Sequence, residues 1–216
     1  MKKPKITTLF LDIGGVLLTN GWDHGSRVAA AEKFGFPIEE MNRRHAQTFG
    51  TYEEGKISLE EYLDRAVFFK ERPFTRDDFK AFMFARSQPY PEMLEFFRGL
   101  KKRYRLKTVA VSNEGRELTV YRNEKFGLPG LIDFFVSSCF IRMRKPDADI
   151  YRLALDLAQA RAAEVVYVEN TEMFVDVARG LGIPTVFHKG LEGTVEAFRE
   201  LGFAVDSLSL KTDPVK

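Results

Sequence analysis

The stretch Thr8-Leu9-Phe10-Leu11-Asp12-Ile13-Gly14-Gly15 constrains this chain most. Ile6 to Leu11 is short and rich in β-branched and large apolar residues, the composition of a strand buried on both faces of a parallel sheet. Asp12 stands where that strand ends and the chain must turn. The two glycines let the backbone bend tightly and let a ligand come close to it. In an open α/β sheet, ligands bind just beyond the carboxyl ends of strands. Taken alone, such an aspartate caps a turn; the chain downstream changes that reading.

Four further strands are expected, at Lys107–Val111, Phe134–Val136, Val165–Val168 and Pro184–Phe187, each followed by a helical pattern. Strands alternating with helices predict a Rossmann-like, doubly wound parallel sheet, and right-handed crossovers place its strand ends on one edge. The first gap is different. From Ser26 to Arg86 the apolar spacing is helical throughout, with helices expected from a Ser26 cap to Phe34, over Pro37–Phe49 with Gly50 as a stop, from the Ser58/Glu61 capping box to about Phe69, and from Thr75 to about Phe84. The chain therefore divides into an α/β core of residues 1–18 and 90–216 and an inserted all-helical cap of residues 19–89. The Phe68, Phe69, Phe74, Phe79, Phe82 and Phe84 cluster is expected to fill the cap core, with one or two rings facing substrate.

Composition narrows the function. With 33 basic and 31 acidic residues, nothing calls for nucleic acid or an anionic membrane. No apolar run approaches the ~20 residues of a membrane span. The basic start runs into a segment that contains Asp12 and has no small-residue cleavage site, so it does not read as a signal peptide. The single cysteine, Cys139, excludes a disulfide within the chain, suits a cytoplasmic location, and lies in an apolar run as a packed residue. The polar tail from Asp206 is expected to fray.

Asp12, Ser112, Lys145 and Glu169/Asn170 all fall at or beyond expected strand ends. A carboxylate can attack a phosphate ester to give an acyl phosphate that water hydrolyses. Ser112 and nearby N–H groups would hold phosphoryl oxygens, Lys145 would supply a cation, and Mg²⁺ would bridge carboxylate and phosphate through oxygen ligands, with Glu169 and the Gly14 carbonyl as candidates.

These residues resemble the four motifs of the haloacid dehalogenase-like hydrolase superfamily, in the branch with a helical cap after the first motif. They are Leu11-Asp12-Ile13-Gly14-Gly15-Val16-Leu17, Val111-Ser112-Asn113, Lys145-Pro146-Asp147 and Val166-Tyr167-Val168-Glu169-Asn170, with a cap segment Glu54-Gly55-Lys56-Ile57-Ser58. The resemblance implies Asp12 as nucleophile, Ser112 and Asn113 as phosphate binders, Lys145 as charge neutraliser, and Glu169 and Asn170 at the metal positions. It points to a Mg²⁺-dependent phosphatase acting on a small phosphorylated metabolite.

Two positions depart from that pattern. Such phosphatases carry a second Asp two residues after the nucleophile as general acid and base; here it is Gly14. His24 and His45 are conceivable substitutes. The fourth motif has Asn170 where a second acid is typical, which removes a charge from the metal site; Glu172 and Asp176 lie nearby. A metal-independent 2-haloacid dehalogenase is the alternative. It would need an aromatic residue at Gly14 and a cap arginine, for which Arg27, Arg43 and Arg44 are available, and its Ser, Asn and Asp of the fourth motif align with Glu169, Thr171 and Phe174. A low-turnover ligand- or partner-binding relative is the third reading.

Overall fold

The computed structural model describes residues 6–205. The basic start and the polar tail from Asp206 lie outside the described residues. In chain order, β1 (Thr8–Leu11) leads into four helices, α1 (His24–Phe34), α2 (Ile38–Glu53), α3 (Leu59–Ala66) and α4 (Arg76–Ala85). Then follow α5 (Pro91–Tyr104), β2 (Lys107–Ser112), α6 (Arg116–Lys125), β3 (Phe134–Ser137), α7 (Ser138–Ile141), α8 (Ala148–Ala158), β4 (Val165–Glu169), α9 (Glu172–Gly180), β5 (Thr185–Phe187) and α10 (Leu191–Glu200). The strands form one sheet in the order β3-β2-β1-β4-β5, parallel at every pairing.

Both faces of this sheet are covered, which is why its strands read as continuous apolar runs. Leu9, Leu11, Ala110, Val166 and Val168 point one way, into a core shared with Phe96, Phe97 and Leu100 of α5 and Phe198 of α10. Phe10, Val109, Val111 and Tyr167 point the other way, against Ile150, Tyr151 and Ala154 of α8 and Ala178 of α9. Each fully buried large apolar side chain contributes roughly 1.5–3 kcal/mol. β1, central in the sheet, delivers Asp12 to the middle of its carboxyl edge.

The helical insertion has its own core, in which Trp22, Met41, Tyr52, Tyr62, Leu63, Phe79 and Met83 are buried. Its two crossings run side by side. Thr19 N donates to Gln88 O at 2.8 Å, Gln88 N donates back to the Thr19 hydroxyl at 2.9 Å, and Tyr90 N donates to Leu17 O at 2.9 Å. Among the described residues no helix is long and apolar enough to cross a membrane.

The helix ends depart from expectation in instructive ways. Asp23, not Ser26, caps α1: its Oδ1 accepts the Ser26 N–H at 2.8 Å. Helix α2 runs through Gly50 to Glu53 instead of stopping there. Helix α3 ends at Ala66, short of Phe69, because Val67 and Phe68 both return their N–H groups to Leu63 O. Helix α10 opens at Leu191, and within its first turn the Thr194 hydroxyl is spent on Gly190 O and on His188.

Candidate active site

The floor of the site is a buried charge triad. Lys145 is 1% exposed, and its Nζ donates to Asp12 Oδ1 at 2.8 Å, Glu169 Oε2 at 2.6 Å and Tyr167 Oη at 3.2 Å. The Tyr167 hydroxyl donates to the same Glu169 oxygen. Glu169 Oε1 accepts the backbone N–H groups of Asn170 and Thr171, each at 2.9 Å. Burial pushes the Asp12 carboxyl up to about 6; Glu169 adds to that rise and Lys145 opposes it. Burial also works against the Lys145 ammonium, but its two carboxylates outweigh this and hold it charged. Tyr167 is thus a member of the floor that strand composition alone hid: it reads as an ordinary inward residue of β4.

Asn113 sits differently from its expected role. Its Nδ2 donates to Lys145 O at 2.8 Å and its Oδ1 accepts from Lys145 N at 2.8 Å. Both ends of the amide are spent on holding the lysine backbone, so Asn113 positions Lys145. Ser112 closes β2 and is 3% exposed. No hydrogen bond engages its hydroxyl among the described residues.

Gly15 has φ +82°, and a Cβ there would come within 2.1 Å of the Asn170 amide. That terminal amide lies 3.0 Å from Glu169 Oε1 and 3.1 Å from the Gly14 carbonyl. With its nitrogen on that side, Asn170 donates to both. With its oxygen there, three oxygens converge, the donor chemistry a hard cation takes. Among the described residues no three His, Cys, Asp or Glu side chains form a metal site, and both Glu169 oxygens, expected at the metal, are already taken by Lys145, Tyr167 and two backbone N–H groups, so a cation here would depend on the Gly14 carbonyl and the Asn170 amide beside Asp12. Glu172 and Asp176 do not join: both are exposed, and Asp176 pairs with Arg179 at 2.8 Å.

Above this floor is a cavity of about 200 Å³. The core lines it with Asp12, Gly14, Asn113, Glu114, Arg144, Lys145, Asn170, Thr171 and Phe174; Asn20, Gly21, Trp22, Asp23, Phe49 and Glu53, from the linker and the insertion, complete it. None of the clustered rings Phe68, Phe69, Phe74, Phe79, Phe82 and Phe84 lines it. Phe68, Phe74, Phe79 and Phe82 pack on each other or on Phe34, as Phe34 and Phe74 do at 4.5 Å, Phe84 stacks on Tyr121 of the core at 4.9 Å, and Phe69 lies under the cations of Arg44, Lys70 and Arg72. The aromatic walls are Trp22, Phe49 and Phe174 instead.

The histidine substitutes also fall away. His24 is exposed outside the lining. His45 stacks on Phe49, bonds the Tyr62 hydroxyl at 2.9 Å, and is pushed down to about 3 by burial and by Arg27. Nor do Arg27, Arg43 or Arg44 reach the cavity: Arg27 bonds Asn42 and the Trp22 carbonyl, and Arg44 covers the Phe69 ring. The cavity arginine is Arg144, and the residue facing it is Glu53, joined at 2.6 Å. Both lie one position from a motif quoted from the sequence, Arg144 before Lys145 and Glu53 before Glu54-Gly55, and adjacency was the only signal available for them.

A buried carboxylate held against an ammonium at a strand end, under an open cavity with polar and aromatic walls, is equipped for nucleophilic attack. The sequence profile of the haloacid dehalogenase-like hydrolases matches residues 6–182. The chain belongs to this family. A solved haloacid dehalogenase family enzyme from Bacteroides thetaiotaomicron superposes on this hydrolase with a TM-score of 0.77, 23% identity, and coverage of 90% of this chain and 99% of that one. That enzyme has also been solved with magnesium and inorganic phosphate. The L-2-haloacid dehalogenase of Xanthobacter autotrophicus, solved with chloropropionic acid covalently bound, superposes with a TM-score of 0.61 and 18% identity over 93% of this chain and 84% of that one. At such identities these likenesses concern the fold. In sequence, 69 residues are 38% identical to bifunctional epoxide hydrolase 2 of Sus scrofa, covering 32% of this chain and 12% of that protein's length.

Proposed function

We propose that this hydrolase transfers the phosphoryl group of a small phosphorylated metabolite first to Asp12 and then to water. One observation carries the reading: the Lys145 ammonium lies buried between Asp12 and Glu169 at the base of the cavity. An Asp12 oxygen attacks phosphorus, and the bond from phosphorus to the ester oxygen breaks. Lys145 offsets the charge that gathers on the phosphoryl oxygens, and the Ser112 hydroxyl at the end of β2, outside the cavity lining in this structure, would donate to one of them once substrate is bound. Water then attacks the phosphorus of the aspartyl-phosphate and frees Asp12. The donors at Asp12, Gly14 and Asn170 suit Mg²⁺ in kind, and a bound Mg²⁺ would neutralise phosphoryl charge. With one carboxylate fewer than an all-acid site, its affinity would be low. The magnesium and phosphate held by the Bacteroides relative support this assignment.

A cavity of about 200 Å³ is below the roughly 300–1,000 Å³ typical of drug-sized ligands, which favours a short substrate. No nucleic-acid or membrane partner is proposed. A second reading draws on Arg144, which could receive the carboxylate of a haloacid. Its guanidinium is already paired with Glu53, which weighs against it. Release of phosphate from an aryl phosphate, with and without Mg²⁺, tests the proposal. Metal-stimulated turnover that Asp12→Asn abolishes supports it. No turnover by folded protein, with halide release from 2-haloacids instead, sinks it.

A further inference from the structure

We propose that Glu53, delivered by the helical insertion, is the general acid and base of the reaction, in the place left empty by Gly14. The inference rests on the phosphatase reading and adds to it the proton path, which neither the fold nor Asp12 supplies.

Four carboxyl side chains line the cavity: Asp12, Asp23, Glu53 and Glu114. Asp12 is the nucleophile of the reading above. Asp23 is exposed, and its Oδ1 is held by the Ser26 N–H as the cap of α1. Glu114 has both oxygens bound, Oε2 by Arg122 at 2.6 Å and Oε1 by the Gly115 N–H at 3.2 Å. Glu53 remains. It is 7% exposed, its Oε2 faces Arg144, and no hydrogen bond engages its Oε1 among the described residues.

Its placement is built from both halves of the molecule. Glu53 ends α2, and its carbonyl accepts the Ser138 hydroxyl of α7 at 2.6 Å. Ser138 Oγ in turn accepts the Glu114 N–H at 3.1 Å. Two residues on, Gly55 has φ +63° and lies so close to Cys139 that a Cβ would come within 2.1 Å of its carbonyl. The turn after Glu53 is therefore seated on the core, and the carboxyl is fixed over the floor rather than carried on a loose loop.

The surroundings tune it. Burial raises the Glu53 carboxyl to about 7, Glu114 adds to the rise, and Arg144 and Lys145 oppose it. A carboxyl near neutrality can give a proton and take one back at working pH. In the first step Asp12 forms a bond to phosphorus, the ester bond breaks, and the departing oxygen takes the Glu53 proton. In the second, water attacks phosphorus, the Asp12 bond breaks, and the Glu53 carboxylate accepts the proton of that water. The net change is one ester bond hydrolysed.

The test compares an alkyl phosphate with an aryl phosphate of an acidic phenol, in Mg²⁺, from pH 5 to 9. Glu53→Gln should lower kcat/KM for the alkyl ester by about 10²–10⁴-fold, the usual worth of a positioned acid, and for the aryl ester far less, since an acidic phenol leaves unprotonated. The variant should show a burst of phenol with phosphorylated Asp12 accumulating, because the second step lacks its base. In the wild type, alkyl kcat/KM should fall above about pH 7 as Glu53 deprotonates. Arg144→Gln removes a group that favours the charged form, so that limb should move to higher pH. Gly14→Asp added to Glu53→Gln should restore alkyl turnover, because the nearest atom to a Cβ at Gly14 is Asn20 Oδ1 at 3.4 Å. Equal losses on both esters, or none, overturn the proposal and leave the phosphatase intact. If Glu53→Gln does not fold, an unmoved limb in Arg144→Gln overturns it instead. Turnover that survives Asp12→Asn, or none in the wild type, overturns the phosphatase reading itself.

Discussion

Lys145 shows how the site stores its electrostatics. Buried pairs gain little net stability, but removing one partner leaves an uncompensated charge that costs about 3–5 kcal/mol. Lys145→Met leaves Asp12 and Glu169 facing each other without a cation. Its melting temperature should fall by roughly 10 °C or more, at about 2–4 °C per kcal/mol for a chain of this size. Adding Glu169→Gln should recover part of that loss, because it removes one of the two like charges; calorimetry on the single and double variants checks both. Asn170 gives the complementary prediction. Asn170→Asp adds a carboxylate beside the Gly14 carbonyl, so the Mg²⁺ concentration for half-maximal turnover should drop by about tenfold or more. An unchanged Mg²⁺ dependence would show that position 170 does not contact the ion.

Helix α2 and the turn behind it carry the contact between insertion and core. Gly55→Ala asks a residue with φ +63° to hold a Cβ within 2.1 Å of the Cys139 carbonyl. Backbone strain of that kind costs on the order of 1–3 kcal/mol. The expected result is a melting point lower by several degrees and a larger loss in kcat than in KM, since Glu53 moves with the turn. The same region shows where sequence legibility ends. Strand positions were readable because both sheet faces are buried, so Leu9 to Leu11 and Val165 to Val168 carry the signal in every residue. Asp12, Lys145 and Glu169 were readable because strand ends converge by topology. Gly50 read as a stop, yet α2 passes through it and lays its backbone beside the Arg144 guanidinium, with Nη1 3.0 Å from where a Cβ would stand. Tertiary contact overrode local propensity. Glu53 and Arg144 were unreadable for the same reason, since their meeting depends on how the helical insertion packs on the core.

The molecule as a whole divides its work between those layers. On the proposals above, the core fixes the nucleophile, and the insertion completes the cavity and brings the proton. A ligand that fills the cavity touches residues of both, so its binding should stabilise the molecule as a unit. Anything that binds the folded state and not the unfolded one stabilises by RT ln(1 + [L]/Kd), about 2.7 kcal/mol at a hundredfold excess over Kd. Inorganic phosphate with Mg²⁺ should therefore raise the melting temperature by roughly 5–10 °C. In Lys145→Met the rise should vanish, because the phosphoryl oxygens lose their cation. In Gly55→Ala it should shrink but persist, because the floor is intact and only closure is impaired. A phosphate shift that is equal in all three proteins would place the anion elsewhere. One seen in Gly55→Ala at full size would mean that the core alone binds phosphate, and that closure serves catalysis and not affinity.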